Sequence, residues 1–486
     1  MGFKEDADFA RLVRMGVFAT DAVRTDLKRY GHEVIELERF AMSNKIWQDK
    51  VKRGRFPDLV CVRCGTRIES RGKSQLRIIA SDSGAEERSW DAGMRDDDLF
   101  AFLRLDMAQR PPHSSQPVYF RTKDLRAEVP TKQSSRKAAS EGSELTRMWD
   151  SWTPTWSGVF LETDSEERLT GRNDNGRRVT YSHWLRWPAR NVYLAPGDQV
   201  IANETMVAGV VAPPGSIECP GEWDLQVALS DADIGERYAA VKVAGVLGRS
   251  DLIADLVLIA RDDNEWRLRL EAEASLARLD PIWLKVIAET AMTPTHSNEQ
   301  RMEAVFALSE IPTDEAAAAL AQIAADDGQK PRELRAAAVW GLARGTYPRP
   351  DLVLPHASDR EEFVALHAIA GLPFLPNNLV PGLLEWLSQD DKHAAAAARL
   401  LQRCEAVRPL LTAVHNGGRT RLWALRALGD LSPDQVRSLG GELLTSEIEH
   451  DLEPIWIGRE DWLRGPGAEG LEALDIQKDS FNPLLG

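Results

Sequence analysis

The chain has 486 residues but only four cysteines, Cys61, Cys64, Cys219 and Cys404, unevenly spaced. So few thiols at such spacing exclude a disulfide framework and point to a reducing compartment, the cytoplasm. No run of about 18 apolar residues occurs, so no membrane-spanning helix is expected. The first residues, MGFKEDADFARLV, carry acids and lack the apolar stretch of a secretory signal. Met1-Gly2 is not followed by the Ser or Thr that a myristoylation site needs. Acids outnumber bases, 75 Asp and Glu against 60 Lys and Arg, for a net charge of −15. That balance argues against a protein that coats nucleic acid non-specifically.

What is present is a globular composition, 43% hydrophobic and 28% charged, long enough for two to four domains. The charge is not spread evenly. Residues 1–150 hold 28 Lys and Arg against 24 Asp and Glu, a local +4, so the remainder carries −19. Between Lys45 and Lys73 nine basic residues stand against three acids. Lys45, Lys50, Lys52, Arg53 and Arg55 are the candidate contacts to a phosphate backbone in that patch.

The patch leads into RFPDLVCVRCGTRIESRGKS, residues 55–74. Leu59-Val60-Cys61-Val62 is a short apolar run, Arg63 to Thr66 a turn with Gly65, and Arg67 to Arg71 an alternating stretch. This pattern predicts a β-hairpin. Strand alternation sends Glu69 and Arg71 to one face, with Lys73 two residues further on, and pairing brings Asp58 and Glu69 to one end of the sheet. Two acids beside basic groups suit a hard cation with oxygen ligands, such as Mg²⁺.

These residues resemble the PD-(D/E)xK, or restriction-endonuclease-like, nuclease superfamily: Pro57-Asp58 on one strand and Glu69-Ser70-Arg71 on the next. The resemblance implies that Asp58 and Glu69 bind Mg²⁺ or Mn²⁺. It also implies that Arg71 or Lys73 orients the attacking water or steadies charge at phosphorus, and that Glu36 or Glu38 can supply a third ligand. Arg71 departs from the family's usual Lys, and Arg cannot give up its proton. Element order extends the likeness. Residues 8–30 read as an amphipathic helix, 32–40 as a strand, the hairpin as two more strands, 97–107 as a helix and 117–125 as a strand. The expected domain, residues 1–128, is therefore αβββαβ, the core order of that superfamily.

Cys61-Val62-Arg63-Cys64-Gly65 has the form of a zinc knuckle. A closed site needs four ligands, no second CxxC exists, and Cys219 and Cys404 are remote in sequence. His32 and His113 are candidates. Two thiols inside a hairpin are the expectation, with structural Zn²⁺ through Cys61 and Cys64 as the alternative.

Residues 129–147, polar and Ser-rich, read as a linker. Residues 148–230 read as a small β module containing Trp149, Trp152, Trp156, Trp184, Trp187 and Trp223, with Asn175-Gly176 as a hairpin turn. Its tryptophans are expected to fill a small core and pack on the flanking domains, although exposed aromatics on a small barrel can stack bases.

Residues 231–445 are repetitive. Arg237-Ala240-Val243-Ala244-Leu247 recurs from Arg269, Arg301, Arg335 and Arg421, with degenerate copies near Glu362 and Asp391. Each unit reads as a helix pair that buries its apolar face only by stacking on its neighbours. This resembles HEAT-type repeats, closed by a cap at 446–486 with Trp456 and Trp462. The whole is a multidomain α+β chain. The resemblances imply a metal-dependent endonuclease on DNA or RNA, of bacterial restriction or phage-defence type. Its acidic solenoid would hold a protein partner, a second copy, or the basic face of its own nuclease domain. The alternative is a catalytically degenerate nucleic-acid-binding scaffold.

Overall fold

The computed structural model describes residues 7–37, 56–83, 89–109, 112–134, 144–325, 328, 330–372 and 376–457. Helix α1 (Ala7–Leu27) buries Met15, Ala19, Val23 and Leu27, spaced by four and therefore on one stripe. It lies on a mixed sheet built from β1 (Val34–Glu36), β2 (Leu59–Cys61), β3 (Arg67–Lys73), β5 (Leu99–Asp106), β6 (His113–Ser114) and β7 (Val118–Arg121); β4 (Ile78–Ser83) leaves for another sheet. Strands β1, β2 and β3 form an antiparallel meander, β3 runs parallel to β5, and β7 returns antiparallel to β5. The β2–β3 hairpin is as the sequence predicts, with Leu59 opposite Ile68 and Val60 opposite Arg67.

Two expectations fail here. Residues 97–107 form no helix but the strand β5; the stretch read as the last strand begins as strand β7 and ends in the helix α2 (Thr122–Ala127). The αβββαβ order is therefore not followed. In β5, Leu99, Ala101, Leu103 and Leu105 face α1, whereas Phe100 and Phe102 face the opposite core. A strand covered on both faces is apolar throughout, and periodicity cannot separate it from a buried helix. The expected linker fails as well. Strand β8 (Thr131–Ser134) lies inside 129–147, β9 (Glu144–Trp149) begins there, and the two join β4 in a three-stranded antiparallel sheet.

Trp149 closes that sheet onto the first domain. It is buried, its indole N–H donates to the Leu125 carbonyl at 3.0 Å, and its ring packs edge-on to Trp90. Beyond it come β10 (Ser151–Trp152), β11 (Gly158–Thr163), β12 (Leu169–Asn173), β13 (Arg178–Tyr181), β14 (Asn191–Val192), β15 (Gln199–Val200) and β16 (Ala208–Gly209). They form one four-stranded and one three-stranded antiparallel sheet. Trp184 and Trp187 are buried in one core with Phe100, Phe102 and Phe120 of the first sheet. The tryptophans therefore fill a core and join two modules.

After the short α3 (Leu225–Ala228) the described chain is all helical. Helices α4 (Ile234–Val246), α6 (Trp266–Leu279), α8 (Asn298–Ser309), α10 (Arg332–Arg344), α12 (Glu362–Gly371), α14 (Asp391–Arg403) and α16 (Gly418–Gly429) pack successively in one row, ended by α18 (Ser446–Ile457). Between them run α5 (Ile253–Asp262), α7 (Leu284–Met292), α9 (Asp314–Ala324), α11 (Pro350–Val353), α13 (Val380–Trp386), α15 (Val407–Val414) and α17 (Pro433–Gly440). The seven copies of the sequence repeat are the seven helices of the first row. Their small residues sit where neighbours cross: a Cβ on Gly245 would stand 2.5 Å from that of Ser275, and one on Gly371 2.5 Å from that of Ala343.

The repeated arginine also has a job. Arg301 Nε donates to the Ala291 carbonyl in the last turn of α7, and Arg335 Nε to the Ala324 carbonyl ending α9, each at 2.9 Å. A cation on orphan carbonyls at a helix C-terminus satisfies both the hydrogen bond and the helix dipole. Of the expected cap, Ile448 and Leu452 of α18 are buried and Trp456 packs against the helical core; residues 458–486, including Trp462, lie outside the described residues. No helix among the described residues is long and apolar enough to cross a membrane.

Candidate functional site

The sheet's register places the two motif acids. Continuing the Leu59–Ile68 and Val60–Arg67 pairs by one step sets Asp58 opposite Glu69, and the Ser70 amide donates to Asp58 Oδ2 at 2.9 Å. In β3, Ile68 and Gly72 turn to α1, so Arg67, Glu69, Arg71 and Lys73 share the opposite face. Glu69 forms an ion pair with Arg71 at 2.7 Å. Arg67 is engaged elsewhere. Fully buried, it holds Asp98 with Nε at 3.1 Å and Nη2 at 2.7 Å, and reaches Asp233 at the start of α4 with Nη1 at 3.0 Å. That clamp ties the motif strand to the helical half.

Glu36 is sent the other way. It opposes Leu59 and follows Val34 by two, so it lies on the α1 side of the sheet. Burial pushes its carboxyl up to about 8, against the opposing pull of Lys242 and Arg24. Glu36 lies on the α1 side of the sheet, whereas Glu69 faces the opposite side. Glu38 and the basic candidates Lys45, Lys50, Lys52, Arg53 and Arg55 lie outside the described residues. Two carboxylates fit Mg²⁺, which keeps several waters and takes one or two protein carboxylates.

Beside this edge, a buried charge network was not legible in the sequence. Lys242 of α4 donates to the Leu37 carbonyl at 3.2 Å and to Glu310 at 3.1 Å. Arg278 reaches the same Glu310 at 3.1 Å, and Tyr238 donates to Glu271 at 3.0 Å. These residues are spaced 32 to 36 apart in the repeats, a hint that equivalent helix positions face a common neighbour.

Among the described residues, the only set of three or more metal-capable groups that converge is His32, Cys61, Cys64 and Cys219, with ligand atoms all within 4.8 Å of one another. The expectation of two isolated thiols is thereby corrected. Cys219, set aside for its sequence distance, is brought in by its backbone, whose amide donates to the Tyr30 carbonyl at 2.8 Å. His113 instead pairs with Glu204 at 3.0 Å. Cys404 follows α14 and belongs to the helical half. Hydrogen bonds from Cys61, then His32 and Thr66, hold the Cys64 thiol well below its ordinary range, against the effect of burial. Its bond to Cys64, then burial, pushes the Cys61 thiol up.

No family model matches the chain, and no curated protein matches it. Among solved structures, the X-ray structure of YibA from Escherichia coli is similar, at 20% identity over 44% of this chain and 80% of that one. Its TM-score of 0.23 is too low to carry an argument about fold or function.

Proposed function

We propose that the chain is a metal-dependent endonuclease acting on DNA or RNA, of restriction or phage-defence type, with a PD-(D/E)xK-like N-terminal domain. Its helical half is a HEAT-type solenoid for partner or substrate recognition. The observation that carries this reading is the opposition of Asp58 and Glu69 across the β2–β3 hairpin, with Arg71 and Lys73 on the face of Glu69.

Asp58 and Glu69 would hold Mg²⁺ or Mn²⁺. A divalent cation bound there supplies Lewis acidity, lowering the pKa of water and neutralising phosphate charge. Asp58 is oriented by the Ser70 amide. Arg71, ion-paired to Glu69, anchors that carboxylate and presents a fixed cation to a phosphate. Lys73 takes the part of the motif lysine, orienting water or steadying charge at phosphorus. The acidic helical half, remote from a phosphate-binding role by its charge, suits a protein partner.

A second reading rests on the Glu69–Arg71 pair itself. An arginine that neutralises the motif glutamate suits a degenerate fold that grips nucleic acid without cutting it. Nicking of supercoiled plasmid and degradation of single-stranded DNA and RNA, with Mg²⁺ or Mn²⁺, separate the two. Under the endonuclease reading, Asp58→Ala and Glu69→Ala each lower cutting by roughly 100-fold or more while a gel-shift titration changes little. Wild-type protein that shifts nucleic acid yet never cuts it supports the scaffold instead.

A further inference from the structure

We propose that His32, Cys61, Cys64 and Cys219 bind one Zn²⁺ in a closed Cys₃His site that staples the β2–β3 hairpin tip to the segment leading into the helical half. This site is independent of the nuclease reading and sits at the other end of the hairpin from Asp58.

Two of the ligand-to-ligand spacings match a tetrahedron around zinc, and all four ligand atoms lie within 4.8 Å of one another. With Zn–S of about 2.3 Å and Zn–N of about 2.0 Å, tetrahedral angles separate two sulfurs by about 3.8 Å and a sulfur from a nitrogen by about 3.5 Å. Cys61 Sγ lies 3.9 Å from Cys219 Sγ, and Cys64 Sγ lies 3.6 Å from His32 Nδ1. A disulfide needs sulfurs about 2.05 Å apart, so Cys61 and Cys219 are not a bonded pair.

The imidazole is oriented for the role. His32 Nε2 is 2.9 Å from the Ile217 carbonyl. A carbonyl only accepts, so Nε2 carries the proton and Nδ1, the atom facing Cys64, keeps its lone pair. An outer hydrogen bond that fixes the tautomer in this way is the usual companion of a metal-bound histidine. Thr66 Oγ1, 3.2 Å from Cys64 Sγ, gives the sulfur a second polar neighbour.

The backbone is shaped to match. Between the two cysteines of the knuckle and the second strand, Gly65 adopts φ +72° and its amide donates to the Cys61 carbonyl at 2.9 Å. A Cβ there would stand 2.6 Å from the Trp223 ring. Trp223 in turn donates to Glu236 of α4 at 3.1 Å. Four protein ligands leave no open position, which marks a structural rather than a hydrolytic zinc. Cys219 is 155 residues from Cys64, so the metal closes a long loop that contains strands β10 to β16.

The full-length protein purified without added chelator should contain one zinc per chain by plasma mass spectrometry. Reloading the stripped protein with Co²⁺ should give sulfur-to-metal charge transfer and the intense visible bands of tetrahedral cobalt. Cys219→Ser should lose the metal, whereas Cys219→His restores it and Cys404→Ser leaves it unchanged. Should the serine variant not fold, the wild type still decides: iodoacetamide should modify Cys61, Cys64 and Cys219 only after a zinc chelator is added. Absence of metal with no Co²⁺ spectrum, or a disulfide found among these three thiols in the freshly isolated protein, would overturn the proposal.

Discussion

Glu36 is the residue whose surroundings most alter its chemistry. Its ordinary pKa is 4.5, and burial raises it to about 8 in the folded protein. Between those values the native state holds a proton that the unfolded chain has released. Raising the pH therefore favours unfolding across that window, and below about 4.5 the contribution is fully present. Glu36→Gln keeps the neutral shape and removes the slope. Urea denaturation at pH 8.5 should find the variant more stable by several kcal/mol, roughly 3–5, with the difference nearly vanishing at pH 4.5. Added Mg²⁺ that reversed the slope in the wild type would restore Glu36 as a ligand of the Asp58–Glu69 site.

At the level of elements, the row from α4 to α16 depends on small residues at each crossing. Gly245 faces Ser275, whose hydroxyl also donates to the Val241 carbonyl at 2.8 Å. Gly245→Val would drive a branched side chain into that contact, with helix backbones too rigid to part locally. The expected cost is about 2–3 kcal/mol, read as a lowered midpoint in chemical denaturation. Substituting an outward position of the same repeats, such as Leu258 of α5, exposed by about half, should change stability little. The strand β5 teaches the complementary lesson. Its eight residues read as a helix because both faces are apolar, and only the partners on either side, β3 and β7, decide that it is a strand.

For the whole molecule, the modules meet through shared apolar cores that also hold buried ion pairs. Arg67 spans Asp98 and Asp233, and Lys242 spans the Leu37 carbonyl and Glu310. Both cations are fully buried. Removing Lys242 leaves the buried Leu37 carbonyl without its donor and Glu310 with Arg278 alone, so Lys242→Ala should cost about 1–3 kcal/mol. Limited proteolysis should then release the helical half from the N-terminal modules, whereas wild type resists cleavage at that junction. An unchanged digestion pattern and midpoint would mean that the apolar contact of Ile35, Val60 and Val62 with α4 holds the junction without the charges.

Much of this architecture follows from local pattern. Small residues at helix spacing with a recurring arginine predict the stacked helices, because each unit must cover its own apolar stripe. A glycine turn between β-branched runs predicts the hairpin, and with it the opposition of Asp58 and Glu69. Other features arise only when distant segments meet. The alternation that aims Glu36 at α1 depends on which strand β1 joins. Strands β8 and β9 are polar enough to read as a tether and are ordered by the edge of β4. Cys219 reaches Cys61 and Cys64 because the β module folds back and its exit segment pairs with Tyr30. Periodicity records the faces of one element, whereas a site assembled across 155 residues of chain is set by burial and hydrogen bonding between elements that share no local signal.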